Sequence, residues 1–156
     1  MARRNPKAPG SPKPINLALQ DVHVQRRFSN FSCRIKRGCA TWRGHLQPRA
    51  VSPIYQIEIQ YKQKQIPKLK VISPELVPNA PHLYRDKSLC LYWPKEWRWH
   101  QDSLIAEIII PWAASWLYFY ELWLDTGKWL GPSSHDVPKR AEYSANAIDH
   151  QLSSTH

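Results

Sequence analysis

The residue with the most chemistry in it is Cys90, in the run Pro81-His-Leu-Tyr-Arg-Asp-Lys-Ser-Leu-Cys-Leu-Tyr-Trp-Pro-Lys-Glu-Trp-Arg-Trp99. A thiol attacks as its thiolate, and neighbouring cations favour that form. Arg85, Lys87 and Lys95 are near enough in sequence to supply them. His82 has the chemistry to shuttle a proton or to donate a hydrogen bond to an oxyanion. A thioester on Cys90 would hold an activated acyl group ready for an attacking amine. The same residues fit a plainer role, since a cysteine between Leu89 and Leu91 also suits a core position. Tyr84 and Trp97 are expected to shape the site, Trp97 with plain core packing as the alternative. Cys33, Cys39 and His45 are spaced by six, which is not a paired-ligand spacing, so no metal and no cofactor are expected.

These residues need a scaffold, and 156 residues suit one domain with a real core. Residues 1–14 form a basic, Pro-rich leader, residues 15–131 the domain, and residues 132–156 a polar tail. Ile15 to Phe28 reads as a helix capped by Asn16, with Leu17, Leu19, Val22 and Val24 on its apolar face. Residues 31–47 read as extended, with a turn or bulge at Gly38. Tyr55, Ile57, Ile59 and Tyr61 alternate with Gln56, Glu58 and Gln60, the pattern of a half-buried strand. A polar turn leads to a second alternating strand over 68–72, which makes a hairpin. Residues 73–100 carry Cys90 and show no periodicity, as functional loops often do. Residues 102–125 read as a helix kinked or split at Pro111. The expected fold class is therefore α+β.

The formal net charge is +10, from 22 Lys and Arg against 12 Asp and Glu. Such an excess favours acidic partners. It is spread over the leader and the next stretch rather than gathered on one motif, so a nucleic-acid partner is not expected. Residues 104–124 are long enough to cross a bilayer. Glu107 and Glu121 would each cost up to about 3 kcal/mol there, and the aromatic residues do not form two belts, so a buried helix and no membrane partner are expected. Three cysteines without a secretory signal point to free thiols and the cytoplasm.

The order of elements, with Trp42-Arg-Gly-His-Leu-Gln, Tyr55–Tyr61, Ile66-Pro-Lys-Leu-Lys-Val, Leu89-Cys-Leu and Trp97, resembles the ubiquitin-conjugating enzymes over residues 15–131. That family carries an asparagine eight residues before its cysteine; here the position holds His82. A narrower set comprises His82-Leu-Tyr, Leu89-Cys-Leu-Tyr, Trp97, Ile110-Pro-Trp-Ala, Trp116-Leu, Tyr120-Glu-Leu-Trp, Thr126-Gly-Lys-Trp-Leu-Gly and His135. It resembles the bacterial conjugating proteins of type II CBASS anti-phage operons. The resemblance implies a thioester between Cys90 and the C-terminus of a partner cGAS-like nucleotidyltransferase (CD-NTase), passed on to an amine of an acceptor protein. His82 would assist, with Tyr84, Leu89, Leu91 and Trp97 around the site. The rival class is a conjugating-enzyme fold that has lost its chemistry and regulates a partner by binding it.

Overall fold

The computed structural model describes residue 10 and residues 12–132. Most of the leader and all but one residue of the tail lie outside them. The described chain runs from helix α1 (Leu17–Arg27) through strands β1 (Ser32–Lys36), β2 (Cys39–Leu46), β3 (Tyr55–Lys62) and β4 (Lys68–Ser73) to helix α2 (Ile109–Thr126). The strands form an antiparallel meander in the order β1-β2-β3-β4. This is the expected α+β class.

Local sequence explains most of the boundaries. Asn16 caps α1, its Oδ1 accepting from the Leu19 N–H at 2.8 Å. Arg37 and Gly38 both have positive φ (52° and 72°), as a two-residue hairpin between β1 and β2 requires. The alternation in β3 is the burial alternation: Tyr55, Ile57, Ile59 and Tyr61 are buried and face Ala40, Trp42 and Leu46 of β2 across the core side.

The face of α1 differs from its apolar reading. Leu19 and Val22 are exposed, and the helix buries Gln20 and Val24. Leu17, Gln20, Val24 and Phe28 recur at the three- and four-residue spacing of one stripe. Gln20 is tolerated in it because both ends of its amide are used. Its Nε2 donates to the Ser103 carbonyl at 2.7 Å, and its Oε1 accepts from the Ile105 N–H at 3.0 Å. A buried polar group with a partner for both its donor and its acceptor atom carries little penalty. The amide thus ties α1 to the segment that leads from the Cys90 loop into α2.

Proline 111 splits the 102–125 segment rather than bending one continuous helix. Leu104 to Ile108 form hydrogen-bonded turns, and the regular helix starts at Ile109. Pro111 is then the third helical residue, where the missing N–H has no intrahelical acceptor to lose. Ile109, Ile110, Ala113, Trp116, Leu117, Tyr120 and Glu121 form its buried stripe, and its apolar members share one core with the sheet. Gly127 ends the helix in the left-handed conformation, its N–H returning to the Trp123 carbonyl.

Glu121 is the polar exception in that stripe. Its carboxylate is buried and accepts from Arg49 Nε at 3.0 Å and Nη2 at 2.5 Å, from Ser52 Oγ at 2.8 Å and from Tyr55 Oη at 3.0 Å. One side chain of α2 therefore fastens the β2–β3 connection and the start of β3. Among the described residues no helix is long and apolar enough to cross a membrane.

Candidate functional site

The loop after β4 folds onto that strand's open edge. The Leu89 N–H donates to the Leu69 carbonyl at 2.9 Å, and Lys70 and Ser88 form an isolated antiparallel bridge. A second bridge joins Leu83 to Leu89. Between them the chain reverses, with Tyr84 N–H donating to Ser88 O and Lys87 N–H to Tyr84 O, both at 2.9 Å. Lys87 takes a positive φ of 67° to close this turn. Asp86 braces it by accepting from the Ser88 N–H at 3.0 Å and from Ser88 Oγ at 2.5 Å. Lys68 of β4 reaches Asp86 at 2.7 Å. The Lys68 hydrogen bond, followed by those from Ser88, holds the Asp86 carboxyl well below the usual carboxylate range.

Cys90 follows directly and is half-buried. Its N–H donates to the His82 carbonyl at 2.9 Å. Its sulfur lies 3.4 Å from the Tyr84 hydroxyl and 3.5 Å from the Tyr92 carbonyl, which can accept the S–H. Burial, followed by the contact with Cys90, pushes the Tyr84 hydroxyl well above the usual tyrosine range. The other cysteines are less suited to attack or lie elsewhere. Cys33 on β1 is pushed up to about 11 by burial beside Asp21, and Cys39 begins β2. Among the described residues no group of three His, Cys, Asp or Glu could hold a metal ion.

His82 is brought to Cys90 through its main chain. It has a positive φ of 56°, and its carbonyl also accepts from Trp116 Nε1 at 3.2 Å. Its imidazole packs on the Trp129 ring with centroids 4.8 Å apart. Burial lowers the His82 pKa, which keeps the ring neutral near pH 7. Leu89 is buried, and Leu91 is partly buried. Trp97 sits one step back from the thiol in an aromatic cluster, its ring 4.7 Å from Tyr92 and 5.0 Å from Trp112. The three cations expected around the thiol are exposed, and among the described residues Lys68 of β4, which the sequence reading passed over, is the one ion-paired with the loop.

A groove of about 440 Å³ is formed by residues on either side of Cys90 rather than by Cys90 itself, with Ile66, Pro67, Leu89, Leu91, Tyr92 and Pro94 giving it an apolar lining. Tyr84, Arg85 and Asp86 also line it. Sequence reasoning missed Tyr92, Trp116 and Trp129 as site supports. The only signal was the Leu89-Cys-Leu-Tyr run and the density of aromatic residues in the second half.

A helix, an antiparallel meander, a thiol-bearing loop on the last strand's edge and a closing helix are together consistent with an E2-like fold. The type II CBASS E2 protein family matches residues 20–136, three quarters of the chain, and the protein belongs to that family. No curated protein matches the chain.

Proposed function

We propose that this CBASS E2 protein is a thioester-forming transferase acting in the cytoplasm. Cys90 takes an activated acyl group from the C-terminus of a partner cGAS-like nucleotidyltransferase and passes it to an amine on an acceptor protein, priming the synthase for anti-phage signalling. The observation that carries this reading is the placing of Cys90. A half-buried thiol, fixed by its own amide to His82, touches Tyr84, and Tyr84, Leu89 and Leu91 line a groove that is mainly apolar. An extended chain end laid in the groove would reach Tyr84, the side chain that touches the sulfur. Holding two reactants in such geometry supplies much of the rate of an acyl transfer. Leu89 and Leu91 shape the groove, Trp97 backs Tyr92, and His82 supports the loop.

The test is a non-reducing gel of the protein with its cognate synthase, comparing the wild type with Cys90→Ala and Cys90→Ser. The expected result is a band at the summed mass that thiols remove and Cys90→Ala abolishes, with Cys90→Ser giving a thiol-resistant ester. If no variant forms an adduct while the two proteins co-elute, this chain alone does not form the thioester: it is then a binding module that regulates its partner non-covalently, or an enzyme that needs a separate activating factor.

A further inference from the structure

An acyl transfer from Cys90 needs a donor for the oxyanion, and His82 meets Cys90 through its carbonyl, an acceptor, rather than through its ring. The His82 carbonyl is used by the Cys90 and Trp116 N–H groups, and its ring is packed on Trp129. Tyr84 is differently placed. It stands on the arm of the small hairpin opposite Cys90, with its main chain fixed on both sides by the hydrogen bonds to Ser88 and Lys87. Its side chain is about half exposed (47 %), so a substrate can reach it. Among the described residues Cys90 Sγ is the only hydrogen-bond partner of its hydroxyl, at 3.4 Å.

We infer that Tyr84 is a catalytic residue whose hydroxyl donates to the acyl oxygen on Cys90 and stabilises the oxyanion as an amine attacks. The inference rests on the thioester reading above. In the free enzyme the thiol has one proton for two acceptors, the Tyr84 hydroxyl at 3.4 Å and the Tyr92 carbonyl at 3.5 Å; when the S–H donates to the carbonyl, the Tyr84 O–H can turn to the sulfur. Acylation removes the thiol proton and places a carbonyl oxygen just beyond the sulfur, close to where an oxyanion donor must stand, about 2.7–3.1 Å away. The amine lone pair then forms the C–N bond while the carbonyl π pair moves onto oxygen, held by the Tyr84 O–H without proton transfer. Collapse re-forms the carbonyl and breaks the C–S bond, its electron pair leaving on the Cys90 sulfur. The surplus ammonium proton passes to solvent. Tyrosine suits the task because its high pKa, raised further here, keeps the proton on oxygen.

The test bypasses the partner. A fluorescent peptide supplied as a small-molecule thioester is exchanged onto Cys90, with Cys90→Ala as the blank, and its discharge to hydroxylamine is followed in a single turnover. Tyr84→Phe keeps the ring and loses only the hydroxyl. Loss of one oxyanion donor typically costs about 10²–10³ in rate, so at this half-exposed site a slowing of about 10- to 100-fold is expected. Alkylation of Cys90 by iodoacetamide passes through no oxyanion, and its limiting rate at high pH, where the thiol is fully ionised and its hydrogen bond to Tyr84 no longer sets the thiolate fraction, is expected to stay within about twofold of the wild type in Tyr84→Phe. An unchanged discharge rate, or equal slowing of discharge and alkylation, overturns the role. A wild-type protein that accepts no acyl group at Cys90 overturns the thioester reading instead, and is seen before Tyr84 is altered.

Discussion

Replacing Glu121 with alanine tests whether a single buried carboxylate holds the β2–β3 connection to α2. Four hydrogen bonds converge on it, and the two partners differ in exposure: the Arg49 side chain is 33 % exposed and that of Glu121 8 %. Breaking a fully buried ion pair by removing one member costs about 3–5 kcal/mol. Here the arginine can rehydrate, which lowers its share. Ser52 and Tyr55 are buried and cannot, and each stranded hydroxyl costs about 1–3 kcal/mol. Because these costs overlap, about 3 kcal/mol is expected for Glu121→Ala. At about 2–4 °C per kcal/mol for a chain of this size, the thermal midpoint falls by roughly 6–12 °C. Glu121→Gln retains the shape and one acceptor oxygen and should lose less than half of that. The assay is urea and thermal unfolding followed by far-UV circular dichroism, completed by a double-mutant cycle with Arg49→Ala. A coupling of about 1–3 kcal/mol is expected for side chains in one network. It should survive 1 M NaCl, unlike that of the exposed Lys68–Asp86 pair. A loss below about 0.5 kcal/mol for Glu121→Ala would refute the reasoning, since it would mean that water replaces the carboxylate at no cost.

Gly44→Ala should destabilise the fold by about 1–3 kcal/mol in the same unfolding assay, because a β-carbon at Gly44 would lie 2.5 Å from the Phe31 ring and 2.7 Å from Asn30 Oδ1. The half-buried His82 has a folded-state pKa below its unfolded value, so the unfolded chain binds the proton first as pH falls. Stability is then complete above about pH 6.5 and declines below it. His82→Asn, a residue that tolerates the positive φ at this position, should flatten this acid limb in a melting profile from pH 7.5 to 4.5. Tyr92, pushed up to about 12 by burial, and Tyr55, raised by burial and by Glu121, keep their protons in the fold after the unfolded chain loses them. Stability should therefore fall as pH rises above about 10, and Tyr92→Phe should lessen the fall in alkaline melts.

Much of the scaffold could be read from local pattern. The period-two burial of Tyr55 to Tyr61, the Asn16 cap, the turn at Gly38 and the stop at Gly127 all depend on a few neighbouring residues, and each is found where the sequence places it. The family was carried by the Leu89-Cys-Leu-Tyr run and the motifs after it. What local pattern cannot carry is which polar groups meet across the fold. Gln20 on the buried stripe of α1 is legible only with Ser103 and Ile105, some 83 and 85 residues away, in place. Glu121 read as a charge to be explained within an apolar run, and it proves to be the anchor for Arg49, Ser52 and Tyr55. The pairing of Tyr84 with Cys90 likewise depends on the loop docking onto the edge of β4, where main-chain hydrogen bonds set the two side chains opposite each other. Sequence fixes periodicity and caps because those follow from backbone geometry within one turn or one strand. Tertiary structure alone decides the buried polar contacts, because each is stable only when both partners leave water together.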